Sequence, residues 1–375
     1  MLVVITNIPT PYRTAFFNAV AEESSRRAIG FKVLYCAKTE PGRHWPYEPE
    51  KMLHAHEILR GFHPSLTGIH AHLNPGVLAE IHRFKPDTLL VAGSWNTPTM
   101  LLAGLNVLSL PCRRIFWSEG HADAALHQAG PIAWLRRRVY RRYDGFAVPN
   151  TRSGEWALAQ AGEPKPIIHL PNAINVAPFI RPSVEAKAAA RRRFGLPLMG
   201  RVLVQVSALT ARKGVLPLAR AFLALPPEVR SGATLLFVGD GDQRPELAIA
   251  AAASGGAIRV LGQLAPDEVR EALWAADAFI LNTLQDPNPL APIEAAAAGL
   301  PIVLSRKAGN VTELVERPGT GFILDDPADP AEALRKVLTV PTERLVEMGQ
   351  RAAELARTQF AAPVIARSLL RQLYP

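Results

Sequence analysis

Short apolar runs recur along this chain, each followed by a helix-compatible stretch, and the rhythm occurs twice. In the first half the runs cover residues 2–6, 31–35, 88–92, 114–117 and 145–148, separated by helical candidates such as 14–23, 98–108 and 132–142. In the second half they cover residues 202–206, 234–238, 258–261, 278–281, 302–304 and 321–324. Helices are expected between them at 216–225, 244–253, 266–275, 290–298 and 310–316, with a last, interrupted helix over 341–373. Strands that are apolar throughout, alternating with helices, require a parallel sheet covered on both faces. Two such blocks predict two α/β, Rossmann-like, doubly wound domains. A Pro-rich stretch near 170–182 and a basic helix over 184–194 mark the boundary. The 375 residues suit two domains and exceed the usual size of one.

Composition excludes several classes. With 48% hydrophobic and 20% charged residues the chain is expected to fold throughout. Two cysteines, Cys36 and Cys112, support neither a disulfide framework nor a cysteine-rich zinc site. The longest apolar run, residues 99–110, falls short of the roughly 20 that span a membrane. Met1 leads straight into a strand, so a secretory leader is not expected, and a cytoplasmic location fits. The net charge is +9, and residues 1–180 hold 19 Lys/Arg against 13 Asp/Glu. That half is expected to meet an anionic partner or a membrane surface, or simply to carry a solvated basic face. The run Arg136–Arg142, with Trp134 and Leu135 beside it, reads as a basic helix for an anionic membrane or as a solvated face. Nucleic acid is not an expected partner. No G-x-G-x-x-G follows the opening strand, which disfavours a dehydrogenase.

In open parallel sheets ligands gather beyond the carboxyl ends of the strands. Four loops of the second half stand there. Residues 207–214 bring Arg212, Lys213 and Gly214 to a helix start, an arrangement suited to a diphosphate and equally to an exposed basic turn. In residues 239–242 the aspartates Asp240 and Asp242 admit a metal reading, while the glycines more simply make a tight turn. Residues 284–294 place Asp286 before a helix whose first turn holds Pro292 and Glu294. Amides of Leu290, Ala291 and Ile293 are expected to be free there, and the Glu294 carboxylate is suited to two ribose hydroxyls. Residues 308–313 form a fourth loop, able to approach a sugar or to be a plain turn.

Taken in order, these residues resemble the retaining GT-B-fold glycosyltransferases of family 4, the group 1 glycosyl transferases. The likeness covers most of residues 200–330. It comprises Lys213-Gly214, the turn Gly239-x-Gly241, Gly262, the acidic pair Asp286 and Glu294 at E-x7-E spacing, the run Glu294 to Pro301, and Gly309 with Glu313. In the first half Ile8–Arg13, Trp117–His121 and Pro171–Asn175 resemble the family less closely. The resemblance implies that Arg212, Lys213, Gly214, Gly239, Gly262, Leu290 and Ala291 bind the diphosphate end of a UDP- or GDP-linked sugar. Glu294 would hold its ribose and Asp286 the transferred sugar. Tyr12, Arg13, Glu119 and His121 would bind a glycan or lipid-linked acceptor, with His121, Lys213 and Asp286 catalytic. Neither a metal nor a cofactor beyond the co-substrate is implied. The implied division is an acceptor domain at 1–175, a nucleotide-sugar domain at 176–357 and a helix at 358–375 packing back on the first. The setting is bacterial polysaccharide or glycolipid synthesis, on the inner face of the cell membrane. The chain departs from the family pattern in four ways: Asp286 replaces a glutamate, Ala208 an arginine and Pro289 a glycine, and the glycine-rich first loop is missing. An epimerase or hydrolase on the same fold, or a non-enzymatic membrane binder, are the rival readings.

Overall fold

The computed structural model describes residues 1–375 except 42–46, 67–68, 106–110, 125–126 and 181. The chain divides into two units, Met1–Asn175 with Ala361–Pro375, and Val176–Phe360.

In the first unit the elements run β1 (Leu2–Thr6), α1 (Pro11–Arg26), β2 (Phe31–Tyr35), β3 (His56–Ile58), β4 (Ser65–Leu66), β5 (Ile69–His70), α2 (Val77–Phe84), β6 (Thr88–Ala92), α3 (Pro98–Gly104), β7 (Arg113–Trp117), α4 (Gly130–Arg141), β8 (Gly145–Val148), α5 (Thr151–Ala161) and β9 (Ile167–His169). Seven strands form one parallel sheet in the order β3-β2-β1-β6-β7-β8-β9, and β4 and β5 pair antiparallel beside it. Alternation along β1 shows why its sequence is apolar throughout. Leu2 and Val4 join a core with Phe16, Phe17 and Val20 of α1, whereas Val3 and Ile5 join the opposite core with Val77, Met100 and Tyr140. Helix α5 shows both ends of a sequence-coded helix. Asn150 caps it by accepting from the Ser153 amide at 2.9 Å, and Gly162 ends it at φ +70°.

The second unit runs α6 (Val184–Arg193), β10 (Arg201–Val206), α7 (Val215–Ala224), α8 (Pro227–Arg230), β11 (Ala233–Val238), α9 (Arg244–Ala253), β12 (Ile258–Val260), α10 (Pro266–Ala275), β13 (Ala278–Leu281), α11 (Ala291–Ala297), β14 (Ile302–Ser305), β15 (Gly321–Leu324), α12 (Ala331–Thr339) and α13 (Thr342–Leu355). Its parallel six-stranded sheet has the order β12-β11-β10-β13-β14-β15. Residues 310–316, expected as an α-helix, form a π-helical turn, Thr312–Glu316. Another such turn, Ala356–Phe360, follows α13. The chain then re-enters the first unit. There α14 (Ala362–Leu373) lays Ile365, Leu369 and Leu373 into the core shared with α1, and the Ala362 amide donates to the Ile174 carbonyl at 3.0 Å.

The structure matches the sequence expectation of two α/β units built on parallel sheets. The helix expected over 98–108 ends at Gly104, and residues 106–108 lie outside the described residues.

Candidate functional site

Both strand orders reverse direction once, between β1 and β6 in the first sheet and between β10 and β13 in the second. At such a reversal the neighbouring loops diverge to opposite faces and leave a crevice at the carboxyl ends, where open α/β sheets bind ligands.

In the second unit the loops leaving β10 and β13 are stitched together. The Arg212 carbonyl accepts from the Leu284 amide at 2.8 Å and from the Thr283 hydroxyl at 3.1 Å. The exposed Arg212 guanidinium donates to the Gln285 carbonyl at 2.8 Å. Lys213 and Asp286 form a buried ion pair across the reversal. Gln205 supports it from within β10, donating to the Lys213 carbonyl at 3.0 Å. Gly214 takes φ +62°, and a side chain there would strike the Asn282 carbonyl. Asp286 is itself anchored, because its carbonyl accepts from the Gly309 amide at 2.8 Å. Asn310 donates to the Pro289 carbonyl at 2.9 Å, holding the segment that leads into α11.

Glu294 lies in the first turn of α11, partly exposed at its surface. Burial pushes its carboxyl up to about 7. No hydrogen bond links that carboxyl to a described side chain or amide. One expectation is corrected here. The Ile293 amide is not free, since it donates to the Leu290 carbonyl at 2.9 Å; the amides of Leu290 and Ala291 make no such turn contact among the described residues.

The adjoining loops complete this end of the sheet. The Gly239 amide, at the end of β11, donates at 2.8 Å to the carbonyl of Gly262, which follows β12. The Asp240 carboxylate accepts from the Gly241 amide at 2.8 Å and pairs with Arg244 at 2.9 Å. That geometry favours the turn reading of residues 239–242 over the metal reading. All nine residues expected to bind the diphosphate sugar therefore stand at the carboxyl ends of β10 to β13.

The first unit carries a cavity of about 600 Å³ at its own reversal. Tyr12 and Arg13 line it from the segment after β1, Trp95 from the one after β6, and Glu119 and His121 from the one after β7. The four residues expected to bind an acceptor thus share one cavity. Arg13 donates to Thr6, reaches Glu119 at 3.4 Å and lies 4.7 Å from the centre of the Trp117 ring. His121 is buried, and its Nδ1 accepts from the Asp123 amide at 3.2 Å. Glu40, Trp95, Arg136 and Trp156 also line the cavity and were not expected there. Arg136 had been read as part of an exposed basic run. The structure turns it inward with Ala133, Val139 and Tyr140, leaving Trp134, Leu135, Arg137, Arg138, Arg141 and Arg142 exposed. The helical spacing 133, 136, 139–140 was the available signal.

Comparison with known proteins follows the same division. The family of glycosyl transferases group 1 matches residues 186–357. Over 191 residues the chain is 31% identical to a putative teichuronic acid biosynthesis glycosyltransferase of Bacillus subtilis, covering 50% of this chain and 46% of that protein. Over 256 residues it is 33% identical to a D-inositol 3-phosphate glycosyltransferase of Acidothermus cellulolyticus, covering 64% and 54%. The chain thus spans about half the length of these curated relatives. Among solved structures, HepE of Anabaena in complex with UDP aligns over 99% of both chains, with a TM-score of 0.75 and 17% identity. WaaG, a glycosyltransferase involved in lipopolysaccharide biosynthesis, aligns over 100% of both, with a TM-score of 0.67 and 17% identity. These two likenesses concern the fold, which is GT-B.

Proposed function

From the premise that residues 186–357 of this chain belong to the glycosyl transferases group 1 family, we propose that the protein moves a sugar from a nucleoside diphosphate to an acceptor hydroxyl with retention at the transferred carbon. The observation that carries the reading is the Lys213–Asp286 pair, which ties the loop after β10 to the loop leading into α11 at the reversal of the second sheet.

Departure of a nucleoside diphosphate builds negative charge on its terminal phosphate. Lys213 and Arg212 supply positive charge at that end, with the amides of Leu290 and Ala291 as further donors. Gly214, Gly239 and Gly262, all at positive φ, make the tight turns that hold these loops together at the carboxyl ends of the sheet. The Glu294 carboxylate accepts both ribose hydroxyls. A diphosphate that engages Lys213 competes with Asp286 for it, which frees the aspartate to accept from hydroxyls of the transferred sugar. The acceptor lies against Tyr12, Arg13, Glu119 and His121. It attacks from the face the phosphate leaves, and the departing phosphate oxygen helps to take its proton. Neither a metal nor a cofactor besides the sugar nucleotide enters this scheme. A UDP-linked donor is favoured by likeness to structures solved with UDP and UDP-glucose, with a GDP-linked sugar as the alternative.

The relative named for teichuronic acid biosynthesis supports a role in bacterial surface polysaccharide or glycolipid synthesis. Among the described residues no helix is long and apolar enough to cross a membrane. The exposed face of α4 suits peripheral attachment to the cytoplasmic side of one.

Transfer from a panel of UDP- and GDP-linked sugars to added acceptors tests the proposal. Lys213→Ala and Glu294→Ala should each lower transfer at least about a hundredfold in protein that keeps its circular dichroism. Near-normal transfer by both variants refutes it.

A further inference from the structure

Two arginines, Arg13 and Arg136, and two glutamates, Glu40 and Glu119, line the first unit's cavity, so its formal charges balance, but they are not matched pair by pair. Glu40 is hydrogen-bonded to the His72 imidazole at 2.8 Å, and Glu119 pairs with Arg13 at 3.4 Å. Arg136 is 5% exposed and has no carboxylate within ion-pair reach among the described residues. Its Nε donates to the Gln160 side chain at 2.9 Å and one Nη to the His127 carbonyl at 2.7 Å. A guanidinium has five N–H groups, so these contacts leave most of its donors to the cavity it lines. Burial pulls its pKa down, but a guanidinium remains charged. A buried charge without a counter-ion is costly, and the usual remedy is a partner of opposite sign.

The guanidinium is also held in place. It lies 5.0 Å from the centre of the Trp156 ring, and its fork is fixed by the two hydrogen bonds. Trp95 and Trp156, only partly buried, line the same space, which the buried Trp117 also borders. Flat apolar faces beside a few fixed polar groups suit a sugar ring.

We infer that this cavity binds a sugar bearing an anionic substituent, a carboxylate or a phosphate, with Arg136 as the cation that meets the charge. The inference deepens the acceptor reading and rests on it for the ligand's role, though not for binding itself. The anion completes the fork of Arg136 and the ring lies against the tryptophans, so neither a neutral sugar nor a free anion uses the whole site.

Binding of D-glucuronic acid, D-glucose 6-phosphate, D-glucose, acetate and inorganic phosphate to the full chain tests this, read by tryptophan fluorescence and by calorimetry. At least one charged sugar should bind about tenfold or more tighter than glucose and than its matching free anion. Whichever charged sugar wins separates carboxylate from phosphate. Arg136→Gln should reduce that preference to near unity, and Arg137→Gln, at the exposed neighbour, should leave it intact. Lys213→Ala should also leave it intact, so a failure of sugar transfer and a failure of this site are told apart. Equal binding of glucose, equal binding of the free anions, no binding of either charged sugar, or a preference that survives in Arg136→Gln overturns the inference. Should Arg136→Gln not fold, the comparison of ligands on the unaltered chain decides.

Discussion

If Glu294 holds the ribose as proposed, its carboxyl meets two demands that pull in opposite directions. Its surroundings raise its pKa from about 4.5 to about 7, so the fold favours the protonated form. That contribution to stability is complete below the ordinary carboxyl range and is lost as pH rises through 7. Ribose hydroxyls, by contrast, are best met by the ionised form with both oxygens accepting. Two outcomes follow from this one group. The unfolding midpoint of Glu294→Gln should gain on that of the unaltered chain between pH 5 and pH 8. Nucleotide affinity should fall as pH drops from 8 to 6, with proton release on binding, and calorimetry in two buffers should find the effect absent from Glu294→Gln. The place of Glu294 in the first turn of a helix was legible in the sequence because Pro292 and the apolar run behind it are local features. The inward turn of Arg136 was not, because five neighbouring arginines made one basic run. Only the burial of Ala133, Val139 and Tyr140 on the same face separates it from them. Trp95 and Trp156 lie far apart in the chain and meet only through the sheet order.

At the scale of elements, the contact between the β10 and β13 loops rests on a buried pair. Removing one member strands the other's charge. Lys213→Met or Asp286→Leu alone should each cost about 3 kcal/mol or more, whereas the double variant should recover much of that loss. Urea denaturation of the four proteins checks this, and strictly additive losses would show that the two side chains do not support one another. The strands flanking these loops were legible as unbroken apolar runs, buried on both faces. The edge strands β3 and β9 were not. Each has only three residues, and His56, Glu57 and His169 interrupt any apolar pattern. An edge strand pairs on one side only and needs less of the sequence to specify it. Helix α12, set between Pro330 and Pro341, is not among the expected elements either. The π-helical form of Thr312–Glu316 has no counterpart in hydrophobic periodicity, since its apolar spacing is also that of an α-helix.

For the molecule as a whole, charge and exposed apolar surface coincide on α4. Trp134 and Leu135 stand exposed among Arg137, Arg138 and Arg141, and Arg138 lies 5.7 Å from the centre of the Trp134 ring. A surface of this kind binds anionic lipid through both charge and ring insertion. The protein should float with vesicles containing phosphatidylglycerol and not with phosphatidylcholine alone, and the association should weaken between 0.05 and about 0.5 M salt. Trp134→Ser together with Arg138→Ser should abolish it; flotation unchanged in that variant would assign the attachment elsewhere.

The return of the chain into its first unit also orders the protein's birth. The groove on α1 that receives Ile365, Leu369 and Leu373 is synthesised well before the helix that fills it. Between those moments the entire second unit must be made, on the order of ten seconds or more at roughly 5–20 residues per second. For that interval the nascent protein displays a greasy strip along its first helix, which makes it a client for any chaperone waiting at the exit tunnel.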